Sequence, residues 1–78
     1  MTLVQPSGFV LELLSQLADH GLIVLLKVDG ERRSGRWTLL VSGPPLGDDH
    51  FRWDGDDLDA GLTKAMGFLE VRLPEALG

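Results

Sequence analysis

Apolar residues recur at three- and four-residue spacings from Phe9: Phe9, Val10, Leu13, Leu14 and Leu17 share one side of a helical wheel, and Glu12, Ser15, Gln16, Asp19 and His20 take the other. That period predicts an amphipathic helix over residues 8–20. Ser7 offers its hydroxyl as an N-cap for the first turn. At the other end Gly21 suits a left-handed C′ position, with Leu22 packing back on Leu17.

The period then shortens to two. Residues 22–28 are apolar, β-branched in part and bounded by glycine and Asp29-Gly30, which predicts a strand. Residues 36–42, from Arg36 to Ser42, form a second, ended by Gly43-Pro44-Pro45. The hairpin between them has two competing tips: Asp29-Gly30 suits a two-residue turn, and Ser34-Gly35 suits a longer loop. His50-Phe51-Arg52-Trp53 reads as a short third strand. The pleat places Trp37, Leu39 and Val41 on one face of the second strand and Phe51 and Trp53 on one face of the third, which together make the buried face of the sheet. Arg36, Thr38, Leu40, His50 and Arg52 fall on the other face.

A second helix opens at Gly55-Asp56-Asp57-Leu58-Asp59, with Asp56 as N-cap and Asp59 at N3. Leu58, Leu62, Ala65, Met66, Leu69 and Leu73 form its apolar stripe, and Pro74 stops it. Gly67 offers an alternative, since Phe68 to Leu73 also alternate as a fourth strand would; the stripe favours the helix. The predicted architecture is a single α+β domain over residues 1–78 in the order α-β-β-β-α. It is a three-stranded antiparallel sheet with two helices on one face.

Composition narrows the function. A chain of 78 residues has no room for a deep enclosed active site beside a complete core. It has no cysteine, hence no disulfide framework and no thiolate chemistry. The longest apolar run, Leu22 to Leu26, is far below the ~18 residues of a membrane span. The amino end has neither a basic nor an apolar signal region, so a soluble, cytoplasmic protein is expected.

The net charge of −5 is unevenly spread. Asp48, Asp49, Asp54, Asp56, Asp57 and Asp59 face only Arg52 within their segment, whereas Lys27, Arg32, Arg33 and Arg36 make the first hairpin basic. A calcium loop starting at Asp54 would need an oxygen ligand at Leu58, glycine at Asp59 and glutamate at Ala65, so that motif fails. His20 and His50 are too few and too far apart in sequence for zinc. No serine lies in a nucleophile elbow, and Gly43-Pro-Pro-Leu-Gly47 lacks the N–H donors of a phosphate loop. The expectation is a protein that is not an enzyme and uses no cofactor and no metal.

Two surface readings remain. The acidic segment, with apolar help from Leu40 and Phe68, suits a protein partner with a basic surface. The alternative is nucleic-acid contact through Lys27, Arg32, Arg33, Arg36 and Arg52, which the overall acidity disfavours. Strand one is apolar on both faces, with Ile23 and Leu25 on one of them, so pairing of two copies along that edge predicts a homodimer. Val71 and Phe68 offer a competing helix-face contact, and a purely structural homo-oligomer is a further alternative.

From Arg36 to Leu69 a Trp-bearing strand, the aromatic-x-aromatic strand Phe51-Arg52-Trp53, the junction Gly55-Asp56-Asp57-Leu58-Asp59-Ala60 and a helix with Ala65-Met66 resemble HicB-like antitoxins and small phage proteins of anti-CRISPR type. These have a partial double-stranded-RNA-binding fold. The chain departs from them in carrying a full helix before its first strand. Asp56, Asp57 and Asp59 also stand where true double-stranded-RNA-binding domains carry the lysines that hold phosphates. The resemblance implies a small inhibitor of antitoxin, immunity or anti-CRISPR type that masks the working surface of a protein handling nucleic acid.

Overall fold

The computed structural model describes residues 8–78, leaving out the side chains of Phe9 and Val10, so the expected Ser7 cap lies outside the described residues. The elements are α1 (Gly8–Asp19), β1 (Ile23–Val28), β2 (Trp37–Ser42), β3 (Phe51–Gly55) and α2 (Leu58–Arg72), with single 3-10 turns at Pro44–Leu46 and Pro74–Leu77. The α-β-β-β-α order stands, and the three strands form one antiparallel sheet in the order β1-β2-β3.

The stop of α1 follows from Gly21, whose φ of 83 is open to a residue without Cβ. Its N–H donates to Ala18 O at 2.9 Å and that of Leu22 to Leu17 O at 3.2 Å. This is the Schellman pattern, and Leu17 and Leu22 are both buried beneath it. Leu22 is thereby spent on the cap, and β1 starts one residue later than its apolar run.

The longer hairpin prevails. Val28 pairs with Trp37, and Asp29 N donates to Arg36 O at 2.8 Å. Gly35, not Gly30, takes the positive φ, so Asp29-Gly30 does not form the tight turn. Instead Asp29 O accepts from Arg32 N, and its carboxylate accepts from Glu31 N.

Strand β3 runs two residues past the expected Trp53, because Asp54 and Gly55 still pair with Thr38 and Trp37. Leu39 faces Trp53 and Val41 faces Phe51, and Leu26 and Val24 lie opposite Leu39 and Val41 on the other side. Leu39 and Val41 form the centre of the core with Leu13 and Leu17 of α1 and Leu62, Ala65 and Leu69 of α2. Trp37 and Trp53, expected to be buried, are half-buried. Trp37 lies at the hairpin end opposite Val28, where the helical cover has run out and Val28 is 52% exposed.

Helix α2 continues through Gly67 to Arg72, so no fourth strand forms. Its N-cap is Asp57 rather than the expected Asp56: Asp57 is extended, and its carboxylate accepts from the N–H groups of Asp59 and Ala60. Asp56 is drawn away to the hairpin, where it accepts from the N–H groups of Gly35 and Arg36. Asp59 consequently sits at N2. After Leu73, the turn Pro74–Leu77 folds under both helices, with Ala76 fully buried.

Candidate functional site

The aspartates of the 48–59 segment divide into those bound to the fold and those left to solvent. Asp54 accepts from the Thr38 hydroxyl and from Arg52 Nε at 3.1 Å, and Arg32 Nη1 approaches it to 3.6 Å. The Thr38 hydrogen bond first, then Arg52, holds the Asp54 carboxyl below the usual aspartate range. Asp56 is lowered too, chiefly by the backbone N–H of Gly35 at 3.0 Å and next by that of Arg36 at 3.3 Å. Asp57 caps α2, and Asp49 pairs with Arg72. Asp48 and Asp59 are exposed and form no ion pair among the described residues.

The basic residues also divide. Arg32 lies between Asp29 at 3.4 Å and Asp54 at 3.6 Å, and Arg52 faces the same Asp54. Lys27, Arg33 and Arg36 are exposed without an ion-pair partner among the described residues. A phosphate approaching the hairpin thus meets Asp29 and Asp54 beside two of the five cations.

Phe68, a candidate contact, is half-buried: its ring lies 5.6 Å from that of Phe51, and the Arg72 guanidinium stands 5.5 Å over it. Leu40 is half-buried on the outer sheet face beside exposed Leu25, its direct partner in β1. Ile23 shares that face, 54% exposed.

A shallow groove runs along α2, lined by Asp59, Leu62, Thr63, Met66, Gly67 and Glu70. The lining is mixed: Leu62 is buried, Met66 half-buried, Gly67 carries no side chain, and Asp59 and Glu70, first and last of the six in sequence, are exposed. Of these six, only Asp59 stands out in the sequence as a contact. The i, i+3, i+4, i+7 row from Asp59 to Met66 carries the signal, but Leu62 and Met66 fit the core stripe equally well, and a stripe's edge is invisible without its neighbours.

Among the described residues no group of three His, Asp or Glu side chains is placed to hold a metal. His20 Nδ1 lies 2.9 Å from Gln16 O at the end of α1, while His50 is exposed before β3. Among the described residues no helix is long and apolar enough to cross a membrane. Comparison with protein-family models, curated proteins and solved structures found no match to the chain.

Proposed function

We propose that the protein is a small acidic binding module that engages, and thereby masks, a protein partner with a basic surface. The α2 groove carries the reading: half-buried Met66 and the edge of buried Leu62 share one lining with the carboxylates of Asp59 and Glu70. A basic, partly apolar protein surface complements it on both counts, with apolar contact for affinity and paired charges for orientation and encounter rate. Asp48, also without an ion pair among the described residues, adds to the acidic field that would steer such a partner. The role implied by the resemblance to antitoxins and phage inhibitors is of this kind.

The test is retention of partners from an extract of the source cell on the immobilised protein, followed by binding of the purified partner. The expected partner is basic. Its binding weakens as salt rises from about 0.05 to about 0.5 M, and falls at least tenfold, about 1.4 kcal/mol, in the double variant Asp59→Lys with Glu70→Lys. Binding indifferent to both salt and the variant rejects the groove. Micromolar binding to duplex RNA or DNA, lost on Arg33→Ala with Arg36→Ala, shows a nucleic-acid module instead.

A further inference from the structure

The geometry points to strand β1 as a self-complementary edge, and we propose that two copies pair there, antiparallel about a two-fold axis at Leu26, into one six-stranded sheet. The inference does not rest on the partner reading: the groove lies on α2, which packs on β2 and β3.

In the order β1-β2-β3, β1 has, among the described residues, one open side. The bond from Asp29 N to Arg36 O, in the register that pairs Val28 with Trp37, makes Asp29, Lys27, Leu25 and Ile23 the residues that exchange hydrogen bonds with β2. The N–H and C=O groups of Val24, Leu26 and Val28 therefore point away from the sheet. The side chains are as bare as the backbone: Ile23, Leu25, Leu26 and Val28 are between 39% and 58% exposed. Lys27 is the only charged residue of the strand, so the usual protection of an edge is nearly absent. Strand β3, the other edge, is one residue shorter and carries both Arg52 and Asp54.

A second copy fits this edge on three counts. With Leu26 opposite its own mate, Val24 faces the mate's Val28, so every outward N–H and C=O of Val24, Leu26 and Val28 meets a partner. The covered end of one β1, where Val24 packs on the core, then lies against the bare end of the other, where Val28 is 52% exposed. On the outer face Lys27 stands opposite the mate's Leu25, and the apolar surface of Leu25 and Leu40 continues across the axis. Neighbouring registers are worse. With Lys27 at the axis, two ammonium groups oppose each other. With Leu25 at the axis, Val28 meets Leu22, whose N–H is already held by Leu17 O at 3.2 Å.

Sedimentation equilibrium at micromolar concentration should give a mass twice the 8.5 kDa of the chain. Amide exchange of Val24, Leu26 and Val28 should slow as protein concentration rises, while the amides already bonded to β2 change less. Because each copy carries a charge of −5, added salt should tighten the dimer, the opposite of its effect on a basic partner. Leu25→Lys, on an exposed position outside the core, sets like charges across the axis and should raise the dissociation constant at least about tenfold. Val71→Lys, at a residue 79% exposed on α2, should leave it unchanged. A monomer, a dimer in which those three amides exchange independently of concentration, or a dimer broken by Val71→Lys and not by Leu25→Lys overturns the proposal.

Discussion

A Cβ on Gly61 would lie 2.4 Å from Cε3 and 2.6 Å from Cζ3 of Trp53, distances no carbon pair tolerates. The glycine thus lets α2 approach the indole face, and Trp53 occupies the space a side chain would take. Gly67, in the same helix, has nothing within 4 Å of the equivalent point. One substitution should therefore act with opposite sign at the two positions. Gly67→Ala removes the helix cost of glycine and should stabilise by about 0.5–1 kcal/mol. Gly61→Ala gains the same propensity but overpacks a rigid ring, at a cost of about 1–3 kcal/mol, and should be net destabilising. Urea midpoints rank the two, and tryptophan emission should shift to the red only in Gly61→Ala. In the sequence both are glycines inside a helical pattern, and spacing cannot tell a contact from an open position.

Among the elements, the end of α2 shows why local pattern is insufficient. Phe68 to Leu73 alternates well enough for a strand and also completes the Leu62–Leu69–Leu73 stripe. Packing decides, because Leu69 is 0% exposed only as part of the helix that covers Val41 and Leu39. The start of α2 departs from the sequence expectation for a related reason. Asp56 and Asp57 have equal capping chemistry, and only the approach of the hairpin selects between them. Asp56 tethers Gly35 and Arg36 as a carboxylate, and its folded-state pKa is lowered. A lowered pKa contributes stability that is present above the unfolded value, near 3.9, and is lost as the pH falls through the folded value. Asp56→Asn should therefore narrow the drop in thermal midpoint between about pH 5 and about pH 2, compared with the parent chain. An unchanged acid profile would refute the tether. Asp57→Ala should instead cost about 1 kcal/mol at neutral pH through the lost cap.

For the whole molecule, the last turn matters more than its length suggests. Pro74–Leu77 packs against both helices: Ala76 is fully buried, Leu77 lies against the core, and Gln16 Nε2 donates to Ala76 O at 2.9 Å across 60 positions of sequence. Removing residues 74–78 should destabilise the domain by about 2–3 kcal/mol through lost apolar burial and that hydrogen bond. The urea midpoint should fall accordingly. An unchanged midpoint would show that α1 is held by the sheet alone.

Periodicity by itself determined the order of elements, the sides of the strands that face the core and the end of α1. Each of these depends on neighbours within a few residues, where side-chain direction follows backbone geometry. The sides taken by Trp37, Leu39, Val41, Phe51 and Trp53 were legible for that reason, as was the Schellman stop at Gly21. The hairpin register, the cap of α2, the half-burial of both tryptophans and the self-use of Asp49, Asp54 and Asp56 were decided only in three dimensions. The acidic segment reads as one site along the chain, but folding turns its carboxylates toward Thr38, Arg32, Arg72 and the N–H groups of the hairpin, all distant in sequence, as well as toward the neighbouring Arg52. Asp59 emerged with Glu70 instead, because a helix brings to one groove residues that the linear order keeps eleven positions apart.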